Sequence, residues 1–321
     1  MVSLISTVFN EAKNIHKLVL SLKSQTVLPD EVVVVDAGSS DATVTSLKSG
    51  ISHPNLNIIV ENGVGRSAGR NLAIKSSSSD IIVACDAGTA LSLNFVEALS
   101  KPLISDPKID VVCGFFKPDV SNFFEQCLAS ATIPILEEIE EDRFLPSSRS
   151  VAFRKTAWEK VGGYPEWLPI CEDLIFDLKL KKAGYKFKFE PNVIAFWKPR
   201  ESVRSFFKQY FLYAKGDGHA KLWAIRHLIR YSAYITGFLI LYLSFSVSFL
   251  WLLPFFAAQL GYFSKFFYRY LGHFEHQDEF AIIKAVPLIS FLVVVGDIAK
   301  MIGYPIGIYD RLSGKIKFEA W

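Results

Sequence analysis

The run Glu31-Val32-Val33-Val34-Val35-Asp36-Ala37-Gly38-Ser39-Ser40-Asp41 decides the fold. Four consecutive valines leave no alternation between a core face and a solvent face. Such a run is expected of a strand buried on both sides, as in a parallel sheet sandwiched by helices. The residues that follow Asp36 are turn formers, so the strand ends there. Apolar runs of the same type recur at Val2–Val8, Leu56–Val60, Asp80–Cys85 and Ile109–Phe116. Between them, Glu11–Ser24 puts Ile15, Leu18, Val19 and Leu22 on one helical face, and Asn94–Ser105 also reads as a helix. This β-α-β-α alternation predicts an α/β fold.

In such a sheet, ligands bind beyond the carboxyl ends of the strands. The first strand is followed by Asn10-Glu11, the second by Asp36-Ala37-Gly38-Ser39-Ser40-Asp41, and the fourth by Asp86-Ala87-Gly88-Thr89. Any one of these polar groups is accounted for as a helix cap or turn former. Three converging on one sheet edge predict a shared polar site. Downstream, Arg149–Arg154 reads as a strand, Lys155–Val161 as a helix, Gly162-Gly163 as a turn, and Glu172–Ala183 as a helix closed by Gly184. The acidic run Glu137–Asp142 reads as a solvated helix face with no functional role.

The composition changes toward the C-terminus. Half of the residues are hydrophobic, 14% are aromatic, and the mean hydropathy is +0.27, more apolar than an ordinary soluble domain. The excess lies in residues 231–310. No charged residue occurs from Tyr231 to Ser264. That run is too long for one span, because about 20 residues cross the hydrocarbon core. Lys221, Arg226 and Arg230 precede it and Lys265 and Arg269 follow it, so a hairpin bent near Pro254, with both ends cytoplasmic, is expected. A second stretch, Ala285–Tyr309, contains Asp297 and Lys300 one turn apart and is expected to lie as a shallow or re-entrant helix, followed by Arg311, Lys315 and Lys317. The expected organisation is therefore a catalytic domain over 1–220 and a membrane-associated helical region over 221–321.

A net charge of +3 gives no case for a nucleic-acid partner. The four cysteines, Cys85, Cys113, Cys127 and Cys171, form no C-x-x-C pair, so zinc is not expected and a reducing compartment is the simplest reading. Met1 leads straight into an apolar strand without a basic n-region, so the catalytic part is expected to stay on the cytoplasmic side of the membrane.

At the strand ends a family resemblance enters. Ser6-Thr7-Val8-Phe9-Asn10-Glu11, Val35-Asp36-Ala37-Gly38-Ser39-Ser40-Asp41, Gly65-Arg66-Ser67-Ala68-Gly69-Arg70-Asn71, Cys85-Asp86-Ala87-Gly88, Cys171-Glu172-Asp173 and Gly184-Tyr185 occur in that order. In order and spacing they resemble the inverting family-2 glycosyltransferases, which have the nucleotide-binding GT-A fold. The resemblance implies that Thr7, Glu11 and Asp36, with Asn10 and Gly38 beside them, contact the base and ribose of a nucleotide-sugar. A carboxylate suits this because it accepts from base N–H and ribose O–H groups. It implies that Arg66 and Arg70 pair with the diphosphate, although a structural bond from Arg70 to a strand-end carboxylate remains equally open. Asp86 matches the first acid of the family's D-x-D metal motif. Gly88 stands where the second acid belongs, which puts the strength of Mg²⁺ or Mn²⁺ dependence in question. Asp173, in the Glu172-Asp173 pair, matches the catalytic base that deprotonates an acceptor hydroxyl. Asp177 lies one turn on, where it would raise the pKa of Asp173 or orient the acceptor.

The resemblance also implies a nucleotide-sugar donor, with UDP favoured as the family's commonest nucleotide, and an acceptor that is a lipid-linked glycan or a polysaccharide. Gln209-Tyr210-Phe211-Leu212-Tyr213 stands where processive synthases of the family carry Gln-x-x-Arg-Trp, which weighs against processivity. Three other readings compete. A polyprenyl-phosphate sugar synthase would need no base, because its acceptor is already ionised. A non-enzymatic scaffold draws its support from Gly88 alone. A dinucleotide-dependent oxidoreductase fails because Gly63-Val64-Gly65-Arg66-Ser67-Ala68-Gly69 has the wrong spacing and follows the third strand.

Overall fold

The computed structural model describes residues 1–274 and 278–321. They form two compact units. One comprises residues 1–119, 136–198 and 319–321, and the other comprises residues 120–135 and 199–318. The break thus falls at 198/199 rather than at 220/221, and a segment from the middle of the catalytic sequence groups with the apolar helices.

The first unit opens with β1 (Val2–Val8), α1 (Ile15–Lys23), β2 (Glu31–Asp36), α2 (Thr43–Gly50), β3 (Leu56–Val60), α3 (Arg66–Ser76) and β4 (Ile81–Ala84). It continues with β5 (Ala90–Leu91), α4 (Phe95–Ser105) and β6 (Val111–Pro118). After α5 (Phe123–Thr132), which belongs to the second unit, come β7 (Val151–Arg154), α6 (Lys155–Lys160), α7 (Glu172–Lys182) and β8 (Phe187–Trp197). The eight strands form one sheet in the order β3-β2-β1-β4-β7-β6-β8-β5. The β3-β2-β1-β4 half is parallel, as the valine run predicts. Strand β7 then enters antiparallel to both β4 and β6, so the sheet is mixed rather than uniformly parallel.

The valine run lies at the centre of the parallel half and faces both ways. Val32 and Val34 join Leu4, Val8, Leu18 and Leu22 on one side of the sheet. Val33 and Val35 join Ile5, Ala73, Ile74 and Phe153 on the other. All four valines are essentially inaccessible, and burying each such side chain contributes about 1.5–3 kcal/mol. The acidic run is not an α-helix face. It forms two single-turn 3₁₀ segments, Leu136–Glu138 and Glu141–Arg143, with the acidic side chains largely in solvent.

The second unit contains α5, α8 (Val203–Ala220), α9 (Ala224–Ser246), α10 (Leu252–His273) and α11 (Glu279–Leu312). Helix α5 packs against α10 and α11, and α8 packs along α11. The last pairing is unusually close. A Cβ at Gly303 would meet the Phe211 carbonyl oxygen at 2.2 Å, one at Gly307 would meet the Lys215 carbonyl oxygen at 2.1 Å, and one at Gly218 would meet the Tyr304 carbonyl oxygen at 2.5 Å. Small residues at this spacing let two helix backbones touch.

Helices α9 and α10 flank a break at residues 247–251. Pro254 is not the bend. It sits in the first turn of α10, where its missing N–H has no helical acceptor to lose. Both helices return to the same residue of α11: the Tyr234 and Tyr262 hydroxyls donate to Asp297, as does Arg230 Nε at 2.9 Å, and Lys300 Nζ lies at 3.5 Å. Asp297 is thus shared by three helices, not only by its neighbour Lys300. Helix α11 runs unbroken for 34 residues, about 51 Å at 1.5 Å per residue. Helices α9 and α11 are each long and apolar enough to cross a membrane. On α9 and α10, Phe238, Phe245, Leu253 and Leu260 are exposed.

Candidate active site

The site is built at the carboxyl ends of the parallel strands and at the start of α7. Asn10 follows β1 with φ +54°, a left-handed conformation that asparagine tolerates. Its Oδ1 accepts from the Ser40 N–H at 2.9 Å, and its own N–H donates to Ser39 Oγ at 2.8 Å. Two strand-end loops are thereby tied together. Thr7, half-buried on β1, turns its methyl toward Gly69 of α3, where an added Cβ would lie 2.9 Å from it.

Asp36 is fully buried. One carboxylate oxygen accepts from the N–H groups of Gly38 at 3.0 Å and Ser39 at 2.8 Å, and the other accepts from the Ser39 hydroxyl. Its observed partners are therefore those of its own turn. Gly38 is required there on two counts: its φ is +92°, and a Cβ would sit 2.4 Å from Asn62 Oδ1. Glu11 is half-buried, with its N–H donating to Thr43 Oγ1 at 2.8 Å. Its carboxylate approaches the position left bare at residue 88, where a Cβ would lie 3.5 Å from Oε2.

Arg70 makes the bond to a strand-end carboxylate that the sequence offered as one alternative. It is 6% exposed, donates from Nη1 to Glu172 Oε1 at 2.8 Å and from Nη2 to Asp86 Oδ1 at 3.2 Å, and lies over the Tyr164 ring. Burial alone would lower its pKa, but the charges of Glu172 and Asp86 hold it above its ordinary value. Glu172 is equally buried. Burial raises its pKa, against the pull of Arg70. Its hydrogen-bonded partner is Arg70. Arg66, at the start of α3, is over half exposed, with Nη1 3.9 Å from Glu172.

Asp173 is placed differently. Cys171 enters α7 with φ +68°, after which Glu172 is buried and Asp173 remains half-exposed. The Asp173 carboxylate accepts from the Leu174 N–H at 2.9 Å and from the Ser147 hydroxyl at 3.3 Å. Among the described residues no guanidinium or ammonium pairs with it. Asp177, one turn on, is buried with Oδ2 lacking a partner among the described residues. Burial, reinforced by the Asp173 charge, pushes its carboxyl well above the ordinary carboxylate range.

Two residues that the sequence did not single out complete the site. Arg149 lies 3.6 Å from Asp86 Oδ2 through Nε, which also donates to Ser147 Oγ at 3.1 Å. Its guanidinium sits over the rings of Trp197 and Phe116. Ser147 thus links Arg149 to Asp173, and Arg70 links Asp86 to Glu172, so both sides of the site join into one network.

The donor set does not fit a dedicated divalent-cation site. The Asp86 oxygens face Arg70 and Arg149, Gly88 supplies no ligand, and among the described residues no three His, Cys, Asp or Glu side chains converge.

The Glycosyl transferase family 2 model matches residues 3–160. The chain is 25% identical over 222 residues to the O-antigen chain rhamnosyltransferase RfbN of Salmonella typhimurium, covering 65% of this chain and 70% of that protein. It is 28% identical over 247 residues to the glycosyltransferase AglE of Haloferax volcanii, covering 75% and 80%. Among solved structures, the mannosyltransferase PcManGT of Pyrobaculum calidifontis, in complex with GDP-Man and Mn²⁺, superposes with a TM-score of 0.54 at 17% identity, over 98% of this chain and 87% of that one. That likeness establishes the GT-A fold. With the α/β sheet and the matched segment in agreement, residues 3–160 form a glycosyl transferase family 2 domain.

Proposed function

We propose that the protein is an inverting transferase that moves a sugar from a nucleotide-sugar, with UDP as the favoured nucleotide, to a hydroxyl of a lipid-linked glycan or polysaccharide at the cytoplasmic face of a membrane. One observation carries the reading. Beside Arg70 and Arg149, Asp86 and Glu172 pair with guanidinium groups, while Asp173 is half-exposed and carries none among the described residues. A carboxylate so placed can accept the proton of an acceptor hydroxyl as its oxygen attacks the anomeric carbon. The bond from that carbon to the leaving phosphate oxygen breaks on the opposite face, and the configuration inverts. Ser147 and the Leu174 N–H hold the base in orientation.

The rhamnosyltransferase relative, named for O-antigen chains, supports a glycan acceptor. The exposed apolar side chains of α9 and α10, the two helices of spanning length and the basic residues at their flanks support a membrane location with the catalytic unit on the cytoplasmic side.

Asp173→Asn tests the assignment. Loss of a general base typically lowers the rate by about 10²–10⁴. The variant should lose transfer to that extent in a donor and acceptor screen, while its nucleotide affinity by calorimetry stays within about threefold of wild type, since in the proposed mechanism Asp173 faces the acceptor. Wild-type kcat in the variant would reject the base and point to an acceptor that is ionised before it binds, as in a polyprenyl-phosphate sugar synthase.

A further inference from the structure

Resting on the nucleotide-sugar reading, we infer that Arg149 is a donor-binding residue: its guanidinium grips the diphosphate of the nucleotide-sugar and takes over the charge-neutralising work that a second acid and its cation would do at position 88.

Three observations carry this. First, Arg149 stands on the acid that matches the motif, with Nε 3.6 Å from Asp86 Oδ2. Second, it is fixed in place before any ligand arrives. Its guanidinium carbon lies 4.4 Å from the Trp197 ring centroid and 5.2 Å from that of Phe116, its Nε donates to Ser147 Oγ, and its side chain is 14% exposed. Stacking on aromatic faces orients a guanidinium at little entropic cost. Third, Nε accounts for its hydrogen bonding, and among the described residues neither terminal nitrogen makes a hydrogen bond. Those two nitrogens form the fork that pairs with a phosphate through parallel hydrogen bonds.

A dication beside Asp86 would instead be repelled by Arg70 and Arg149 and would find no side-chain ligand at Gly88. In the step itself, the bond between the anomeric carbon and the β-phosphate oxygen breaks, and its electron pair stays on that oxygen. Arg149 donates hydrogen bonds to the departing diphosphate without transferring a proton. The partly exposed Arg66 lies on the same side of α3 as Arg70 and adds positive charge to the approach.

The test measures binding of UDP, UMP, GDP and GMP to the full chain in detergent by calorimetry, in EDTA and then in Mn²⁺. The favoured pair is expected to bind in EDTA, the diphosphate at least about tenfold tighter than the monophosphate, with Mn²⁺ improving the diphosphate less than about threefold. Arg149→Met should erase most of the diphosphate preference and leave the monophosphate affinity unchanged. Arg149→Lys keeps the charge without the fork and should lose about half of that preference on a logarithmic scale. A diphosphate-to-monophosphate ratio unchanged in both variants overturns the proposal. So does a gain of tenfold or more from Mn²⁺ that disappears in Glu11→Gln, because the second carboxylate would then come from Glu11 and the cation would be real. If none of the four nucleotides binds under any condition, the nucleotide-sugar reading itself falls and this proposal falls with it.

Discussion

Replacing Arg70 by methionine isolates the ion pair beneath the site. Methionine fills much of the same volume but leaves Glu172, 3% exposed, without the guanidinium 2.8 Å away, and leaves Asp86 without its partner at 3.2 Å. Removing one member of a buried ion pair costs about 3–5 kcal/mol, chiefly because the other charge stays buried and uncompensated. For a unit of this size each kcal/mol moves the melting temperature by roughly 2–4 °C, so a loss of roughly 6–20 °C is expected. The penalty carries a pH signature. Burial already raises the Glu172 carboxyl with Arg70 in place, and without Arg70 it rises further. The folded variant therefore holds the proton more tightly than its unfolded chain, whose glutamate titrates near about 4.3. The penalty is full above the folded value and shrinks as pH falls toward the unfolded one.

The assay is intrinsic-fluorescence melting of the full chain in detergent between about pH 4.5 and 8, compared as shifts because two compact units need not melt as one. Arg70→Met/Glu172→Gln, which removes both charges, should recover at least half of the loss. A pH-independent loss that the second substitution leaves untouched would refute the argument. Arg70 would then act by packing on Tyr164 and not by pairing.

Asp177→Asn should stabilise the protein at neutral pH. Burial and the Asp173 charge raise the Asp177 carboxyl, so the wild-type contribution falls as pH rises from about 3.9 through the folded value, by up to ~1.4 kcal/mol per pH unit, and the variant's advantage in melting temperature should vanish below about pH 4. Gly307→Leu should lower the melting temperature of the helical unit by overpacking the 2.1 Å approach to Lys215, a cost of about 1–3 kcal/mol or more, whereas Gly237→Ala, with nothing within 4 Å, should leave it unchanged. Single cysteines at Lys221, Ser264 and Lys317, in a cysteine-free chain within sealed inverted vesicles, should all label from the cytoplasmic side, and protection of Ser264 alone would show that α9 crosses without return.

The parallel half of the sheet was legible because its signal is local. Val2–Val8, Glu31–Asp36 and Leu56–Val60 match the observed strands residue for residue, since burial on both faces leaves nothing but apolar side chains to read. Strand β8 was missed although it is the longest. Pro191 interrupts it, and the register jumps from Glu190 to Ile194 opposite Gly114 and Phe115, so no clean alternation survives. The antiparallel insertion of β7 depends on pairing between distant segments and leaves no local trace. At the site, the carboxylates showed in the sequence, but their division of labour did not. Asp36, Asp86, Glu172 and Asp173 look alike as letters, and burial together with the placement of Arg70 separates them. Arg149 was invisible for the same reason, because the rings that hold it, Phe116 and Trp197, come from β6 and β8.

Helix α5 imposes a wait during synthesis. Its neighbours in the helical unit are α10 and α11, so residues 123–132 leave the ribosome roughly 150 residues before α11 begins, a lag of ~8–30 s at ~5–20 residues per second. Throughout that interval Phe123, Phe124 and Leu128 have none of the α10 and α11 side chains they will meet in the finished helical cluster. The nascent chain must therefore shelter this short helix in provisional contacts or hand it to a chaperone. Slowing translation just before α11 should lengthen its exposure to protease, and truncation before α11 should make that exposure permanent.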